Sequence, residues 1–179
     1  IESSFINGLR VTDKDTINIV EDVLIEFNKE IVEAFNELAC KAKGVTSKEN
    51  SIITVVQENK DLGFVGTPTE INKEFLTETI KLNEVPVVAP LGLDKDNQTF
   101  NINADTTAGS IAIELKARRL MIISDVEGVL DSEKKLISEI NSKKANELID
   151  QEVSRSVWWC VASLVPKPPL STSPSSEPS

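Results

Sequence analysis

There is no histidine among the 179 residues. That absence removes Ser–His triads, His-ligated zinc and imidazole acid–base chemistry together. Chemistry that needs only positioning and charge stabilisation survives it, and phosphoryl transfer is the main example. Cysteine is scarce too. Cys40 and Cys160 stand far apart with no partner motif, so a reduced, cytosolic protein is the default expectation. No apolar run is long enough to cross a bilayer, and no signal-peptide pattern opens the chain. Positive charge is outnumbered: 19 Lys and Arg stand against 29 Asp and Glu, a formal net charge of -10. A balance of that sign argues against a nucleic-acid-binding surface, because nothing would neutralise a run of phosphates. The length fits one domain or part of one, with hydrophobic content enough for a core. The first residue is Ile rather than Met, and the expectation is a fragment cut at its front.

What is present centres on residues 100–117, FNINADTTAGSIAIELKA. Phe100 and Ile102 alternate with Asn101 and Asn103, the period of a half-buried strand. From Ala104 onward small residues (Ala104, Ala108, Gly109, Ala112) and apolar ones (Ile111, Leu115) recur three and four apart, which is helix spacing. Asp105 sits near the switch, where a helix exposes unpaired N–H groups and favours anions. Its carboxylate either caps the helix or holds cationic groups that meet an anion. Asn is a poor strand former, so two asparagines on one face point to polar work.

Along the chain, residues 1–11 give a short apolar stretch broken by Asn7 and Gly8, followed by Thr12 and Asp15 in the spacing of a capping box. Ile17, Val20, Val23, Leu24 and Phe27 predict a buried helix stripe. Asn28 predicts the cap of a second helix with Ile31, Val32, Phe35 and Leu38 inward. Arg10 lies just ahead of the first helix start, where a guanidinium can grip a carboxylate bidentately. Residues 51–57 and 62–65 read as short β-rich runs, with Gly63 and Gly66 marking bends or close backbone approach. Asn72 starts a helix with Phe75, Leu76, Thr79 and Ile80 inward. Residues 85–91 read as a buried strand and residues 94–97 as a turn. Residues 120–123 predict another buried strand, followed by a loop of the kind that binds ligands at the carboxyl end of an α/β sheet. A helix near residues 141–149 closes the regular part. Strand and helix alternating at this spacing predict an α/β sheet covered by helices.

After about residue 152 the residue usage changes. The body is rich in Ile, Asn, Lys and Glu, whereas residues 153–179 contain no Ile, no Asn, both tryptophans and most prolines. The division expected is a partial domain over 1–152 and a Ser/Pro-rich, disordered tail over 153–179. The tail is either a natural flexible extension or, the preferred expectation, the product of a reading-frame shift near residues 152–154.

The segments FINGLRVTDKDT (5–16), NKEIV (28–32), DLGFVG (61–66), VPVVAPLG (85–92), NINADTTAG (101–109) and SDVEGVLD (124–131) carry a likeness. In order and spacing they resemble the acetylglutamate kinases of the amino acid kinase family. The resemblance covers roughly residues 1–152. It implies a three-layer αβα sandwich around a mainly parallel sheet, here incomplete. It also implies transfer of the ATP γ-phosphoryl, with Mg2+, to the side-chain carboxylate of N-acetyl-L-glutamate in arginine biosynthesis. By the same resemblance Arg10, Asn101 and Asn103 meet the acetylglutamate, and Asp105 holds two catalytic lysines. Ser124, Asp125, Val126, Glu127, Gly128, Val129 and Leu130 form the nucleotide-binding loop. One of those lysines is expected ahead of Ile1, and the other where the chain reads VSRSVWW, so the chain alone is expected to be inactive. A homo-oligomer is expected of the full-length protein, in the cytoplasm, or in a plastid for a photosynthetic eukaryote. Two alternatives stand beside it: a non-catalytic amino-acid-binding regulatory domain of the same fold, and another kinase of the family.

Overall fold

The computed structural model describes residues 5–6, 9–123, 128–131, 133 and 135–150. The elements run β1 (Phe5–Ile6), β2 (Leu9–Arg10), α1 (Lys14–Glu37), β3 (Ala42–Val45), β4 (Ile53–Gln57), a 3-10 turn (Lys60–Leu62) and β5 (Gly66–Ile71). They continue with α2 (Lys73–Lys81), β6 (Val85–Val88), β7 (Leu91–Leu93), β8 (Thr99–Asn101), α3 (Ala104–Glu114) and α4 (Ser142–Asp150). The expected tail, residues 153–179, lies outside the described residues.

The two helices expected between residues 12 and 38 are one helix of 24 residues. Its cap is Asp13, whose side chain accepts from the Thr16 N–H at 2.7 Å, rather than a Thr12–Asp15 box. Thr12 is committed elsewhere: it is fully buried, and its backbone bonds to Leu62 and Phe64. Asn28 caps nothing. It is 4% exposed, and its Nδ2 donates to the Val87 carbonyl of β6 at 2.8 Å. A polar side chain that satisfies a buried strand carbonyl can stay within a helix, because neither group is left unpaired. The helix turns Ile17 inward and leaves Val23, Phe27, Phe35 and Leu38 exposed, so the expected apolar stripe is only partly a core face.

β3 and β6 pair in parallel, Ala42 with Val85 through Val45 with Val88. β5-β4-β7-β8 form a second, mixed sheet, parallel only between β4 and β7. α1 covers one face of β3: a Cβ on Gly44 would meet Asn28 Oδ1 at 2.6 Å and Val32 beyond it. Val45, pointing the opposite way by strand alternation, joins the main core with Ile52, Ile53, Val55, Ile71, Leu76, Phe100 and Ile102. Ile111 and Leu115 at the α3 end pack against that cluster. Helices therefore lie on both faces of the strands, the α/β layering that the alternation of elements predicts.

α2 starts as expected, with Asn72 accepting from the Phe75 N–H at 3.1 Å and Leu76 and Thr79 buried. Ile80 is the exception, half exposed. The turn at residues 94–97 joins β7 to β8: Asp94 accepts from Asp96 and Gln98, and Asn97 takes a positive φ of 60°. Residues 120–123 form no strand, and Met121 and Ile123 are 78% and 91% exposed. An apolar run becomes a strand only where a ladder takes up its N–H and C=O groups, and no described strand pairs with this one. The final helix, Ser142–Asp150, starts where expected, with Asn141 accepting from the Lys144 N–H.

Candidate active site

Two motifs far apart in sequence are joined by the segment between them. The Thr12 N–H donates to the Leu62 carbonyl at 3.0 Å, and the Phe64 N–H donates to the Thr12 carbonyl at 2.7 Å. The Asn101 N–H then donates to the Phe64 carbonyl at 2.9 Å. Bridges of parallel sense, Thr12 with Gly63 and Val65 with Asn101, describe the same arrangement. Residues 62–65 thus form a central rung, with the Arg10–Thr12 segment on one side and β8 on the other. Two strand spacings put those outer segments about 10 Å apart. Gly63 makes this approach possible. Its φ is +69°, and a Cβ there would collide with the Thr12 carbonyl oxygen.

Arg10 ends β2, paired across a hairpin with Phe5, and its side chain is exposed. Its carbonyl accepts from the Thr12 hydroxyl at 3.3 Å, which ties it to the rung. Asn101 ends β8 opposite Leu91, with Phe100 buried beside it. The chain then turns directly into α3. The cap of that helix is Asn103, whose Oδ1 accepts from the Thr106 N–H at 2.9 Å and from its hydroxyl at 3.2 Å. Asp105 is therefore not the cap. It stands half-buried in the first turn, where the helix dipole favours negative charge. Thr107 and Gly109 are buried, whereas Ala104 is exposed and Ala108 and Ala112 are half-buried.

Of the expected nucleotide loop, Ser124, Asp125, Val126 and Glu127 lie outside the described residues. Gly128 has a φ of +141°, and a Cβ would press on Leu136. The Val129 carbonyl accepts from the Ile137 N–H at 2.8 Å, and Leu130 bridges Leu136 antiparallel. The end of that loop is a small hairpin, closed by Asp131 accepting from the Glu133 and Lys135 N–H groups.

The site's backbone partners, Thr12 and Phe64, escaped the sequence reading. Only Gly63, marked there as a point of close approach, signalled them. A groove of about 900 Å³ between α1 and β3 is lined by Asn28, Lys29, Gly44 and Lys48, among others, and contains none of the candidate residues. Around the site, the Thr16 hydrogen bonds hold the Asp13 carboxyl below its usual value. Farther off, Glu114 at 2.7 Å raises the Lys73 ammonium above its own. Among the described residues no cluster of three or more Cys, Asp or Glu could hold a metal ion. None of the described helices is long and apolar enough to cross a membrane.

Comparison with known proteins bears on this arrangement. Residues 1–163 match the model of the amino acid kinase family. The acetylglutamate kinase of Pelagibacter ubique strain HTCC1062 is 91% identical over 153 residues, 86% of this chain and 53% of that protein. That of Ruegeria pomeroyi is 44% identical over 150 residues, 83% of this chain and 52% of its own. The chain thus spans about half the length of these relatives. Among solved structures, smu.665 from Streptococcus mutans UA159 superimposes with a TM-score of 0.83 at 30% identity, over 91% of this chain and 67% of that one. N-acetylglutamate synthase from Neisseria gonorrhoeae, solved with coenzyme A and N-acetyl-glutamate, shares the fold. Its TM-score is 0.77 at 17% identity, over 90% of this chain and 38% of that one. With the family model matching most of its length, the chain belongs to the amino acid kinase family.

Proposed function

We propose that this chain is part of an acetylglutamate kinase, which transfers the γ-phosphoryl of ATP to the side-chain carboxylate of N-acetyl-L-glutamate in the arginine pathway of the cytoplasm. The 91% identity to the Pelagibacter ubique enzyme supports that substrate over others of the family. The carrying structural observation is the cap of α3. Asn103 takes the capping role, so the Asp105 carboxylate stands at the helix start with its charge available for another task. In the proposed site Arg10 grips a carboxylate of acetylglutamate and Asn101 bonds its polar groups. Asn103 aims the helix start toward the substrate, and Asp105 orients the lysines that meet the transferring phosphoryl. Residues 124–130 receive the nucleotide. Mg2+ enters with ATP as part of the substrate. Phosphoryl transfer depends on positioning and cationic stabilisation rather than on a histidine base, and this chain has no histidine. A homo-oligomer is the assembly we propose for the whole protein.

The test is a graft. Residues 1–150 replace the aligned segment of the Pelagibacter ubique enzyme, and the product is assayed with ATP, Mg2+ and acetylglutamate. Acetylglutamate-dependent ADP release is expected from the graft and none from the 179-residue chain alone. A graft that binds acetylglutamate but neither binds nor cleaves ATP would instead make this a non-catalytic amino-acid-binding domain.

A further inference from the structure

Glu21 lies on α1 about two turns beyond its cap, and its side chain is only 13% exposed. One oxygen, Oε1, accepts two short hydrogen bonds, from the Ser47 hydroxyl at 2.6 Å and from the Thr99 hydroxyl at 2.7 Å. The other, Oε2, faces Lys48 Nζ at 3.6 Å, and that ammonium also meets Asp22 at 3.2 Å. One carboxylate therefore fastens α1 both to the loop after β3 and to the first residue of β8. Ser47 and Thr99 are themselves buried. Hydrogen bonds to an ionised acceptor are about twice as strong as neutral ones, and at these lengths they fix their donors closely.

The two arms lead to different places. Ser47 belongs to the β3–β4 loop, which carries none of the candidate site residues. Thr99 is two residues before Asn101 on the same strand, so both side chains leave the same face of the sheet. Beyond Asn101 come the Asn103 cap and Asp105 without a break. The start of the same helix, through Thr12 and Asp13, carries the Arg10 segment. Glu21 thus links α1, which follows the Arg10 segment, to β8, which leads to Asn101.

We propose that Glu21 is a positioning residue for acetylglutamate: through the Thr99 hydroxyl it sets the height of β8 against α1, and so the placement of Asn101 and Asp105 relative to Arg10. This rests on the function proposed above. The charge-assisted bond to the Thr99 hydroxyl carries the effect. A small misplacement remote from the chemistry can cost about a hundredfold.

The experiment uses the active graft. Thr99→Val should raise the KM for acetylglutamate about tenfold or more, with the KM for ATP within about twofold of the parent. Glu21→Asp, which withdraws the carboxylate by one methylene, should do the same and serves if the valine variant does not fold. Thr99→Ser retains the hydroxyl and should restore the parent KM, and Glu21→Gln, which keeps an acceptor without its charge, should raise the KM less than Glu21→Asp does. Ser47→Ala removes the other arm. It should lower the melting temperature by about as much as Thr99→Val while leaving the KM for acetylglutamate unchanged. Equal KM changes for Ser47→Ala and Thr99→Val, or no change for Thr99→Val and Glu21→Asp, would overturn the proposal and leave the kinase assignment standing. A parent graft without acetylglutamate-dependent turnover would overturn both.

Discussion

Gly63→Ala isolates the rung that joins the two halves of the site. Gly63 closes the 3-10 turn with φ 69° and ψ -124°, a region that L residues enter only under strain. That strain alone is worth about 1–3 kcal/mol. The added Cβ would also collide with the Thr12 carbonyl oxygen, a backbone atom that cannot rotate away. Relief requires the Thr12 segment to separate from residues 62–64. The bonds at 2.7 Å and 3.0 Å between them would then be lost, at about 1 kcal/mol each. The two routes are alternatives in part, so the expected loss is about 3 kcal/mol, large beside a typical total of about 5–15 kcal/mol. With a urea slope of about 1–3 kcal/mol per molar, the unfolding midpoint should fall by about 1–3 M. Circular dichroism of the purified chain in a urea series reads this directly. Gly66→Ala is the control. Its φ is not in the left-handed region, and its added Cβ meets side-chain atoms at 3.0–3.2 Å, so packing alone is perturbed and the shift should be smaller. A Gly63→Ala midpoint equal to the parent, or to Gly66→Ala, would show that the close approach at Thr12 is not holding these segments together.

Other expectations are narrower. In the graft, Arg10→Ala should weaken acetylglutamate binding by about 1.5–3 kcal/mol, the usual worth of a charged hydrogen bond, with ATP affinity nearly intact; calorimetric titration of each ligand separates the two. Asp105→Asn keeps the shape and removes the charge. Because Asn103 is the cap, it should lower kcat with little change in KM or melting temperature, and parent-like steady-state rates would leave Asp105 without the role proposed. Asn103→Ala should destabilise the start of α3 by about 1 kcal/mol, read as faster amide exchange in its first turn. The lowered Asp13 carboxyl stabilises α1 when ionised. That stabilisation is complete above the unfolded value near 3.8 and is lost as pH falls through the lower folded value. Asp13→Ser keeps a cap without a titrating group, so acid titration of the melting temperature should show a shallower decline below about pH 4 than the parent.

Elements governed by near neighbours were legible. Asn72 as a cap, the turn at residues 94–97 and the change from strand to helix after Asn103 depend on side chains a few positions away. Elements decided at long range were not. Asn28 reads locally as the cap of a second helix, but inside α1 its side chain instead satisfies the Val87 carbonyl, 59 residues on. Residues 120–123 have the composition of a buried strand, but composition cannot supply the ladder partner that none of the described strands offers. The exposed side of α1 misled for a related reason: Val23 and Phe27 are apolar at helix spacing, yet the strands beneath α1 meet another part of its surface. Of the candidate site, the sequence offers side chains as expectations, and it does not show that the segments carrying them meet.

That meeting is made by groups without side-chain identity. The Arg10 and Asn101 segments each hydrogen bond to Phe64, one to its N–H and the other to its carbonyl. Any residue but proline offers both groups, so no motif at position 64 records the connection. What does leave a trace is the steric condition for it, because the positive φ at position 63 would drive a Cβ into the Thr12 carbonyl. Gly63 is that trace. A backbone rung of this kind fixes the spacing of two motifs but not the orientation of what they carry. Orientation falls to side chains that reach across from packed elements. Glu21 reaching from α1 to Thr99, and Asn103 closing the start of α3, do this on either side of Asn101. The arrangement divides the work: the rung sets distance through backbone bonds that most substitutions leave untouched. The two polar side chains set direction through bonds that a single substitution removes. Thr99→Val and Glu21→Asp should therefore change substrate affinity at modest cost to stability, whereas Gly63→Ala, which parts the two motifs, should lower stability and substrate affinity together.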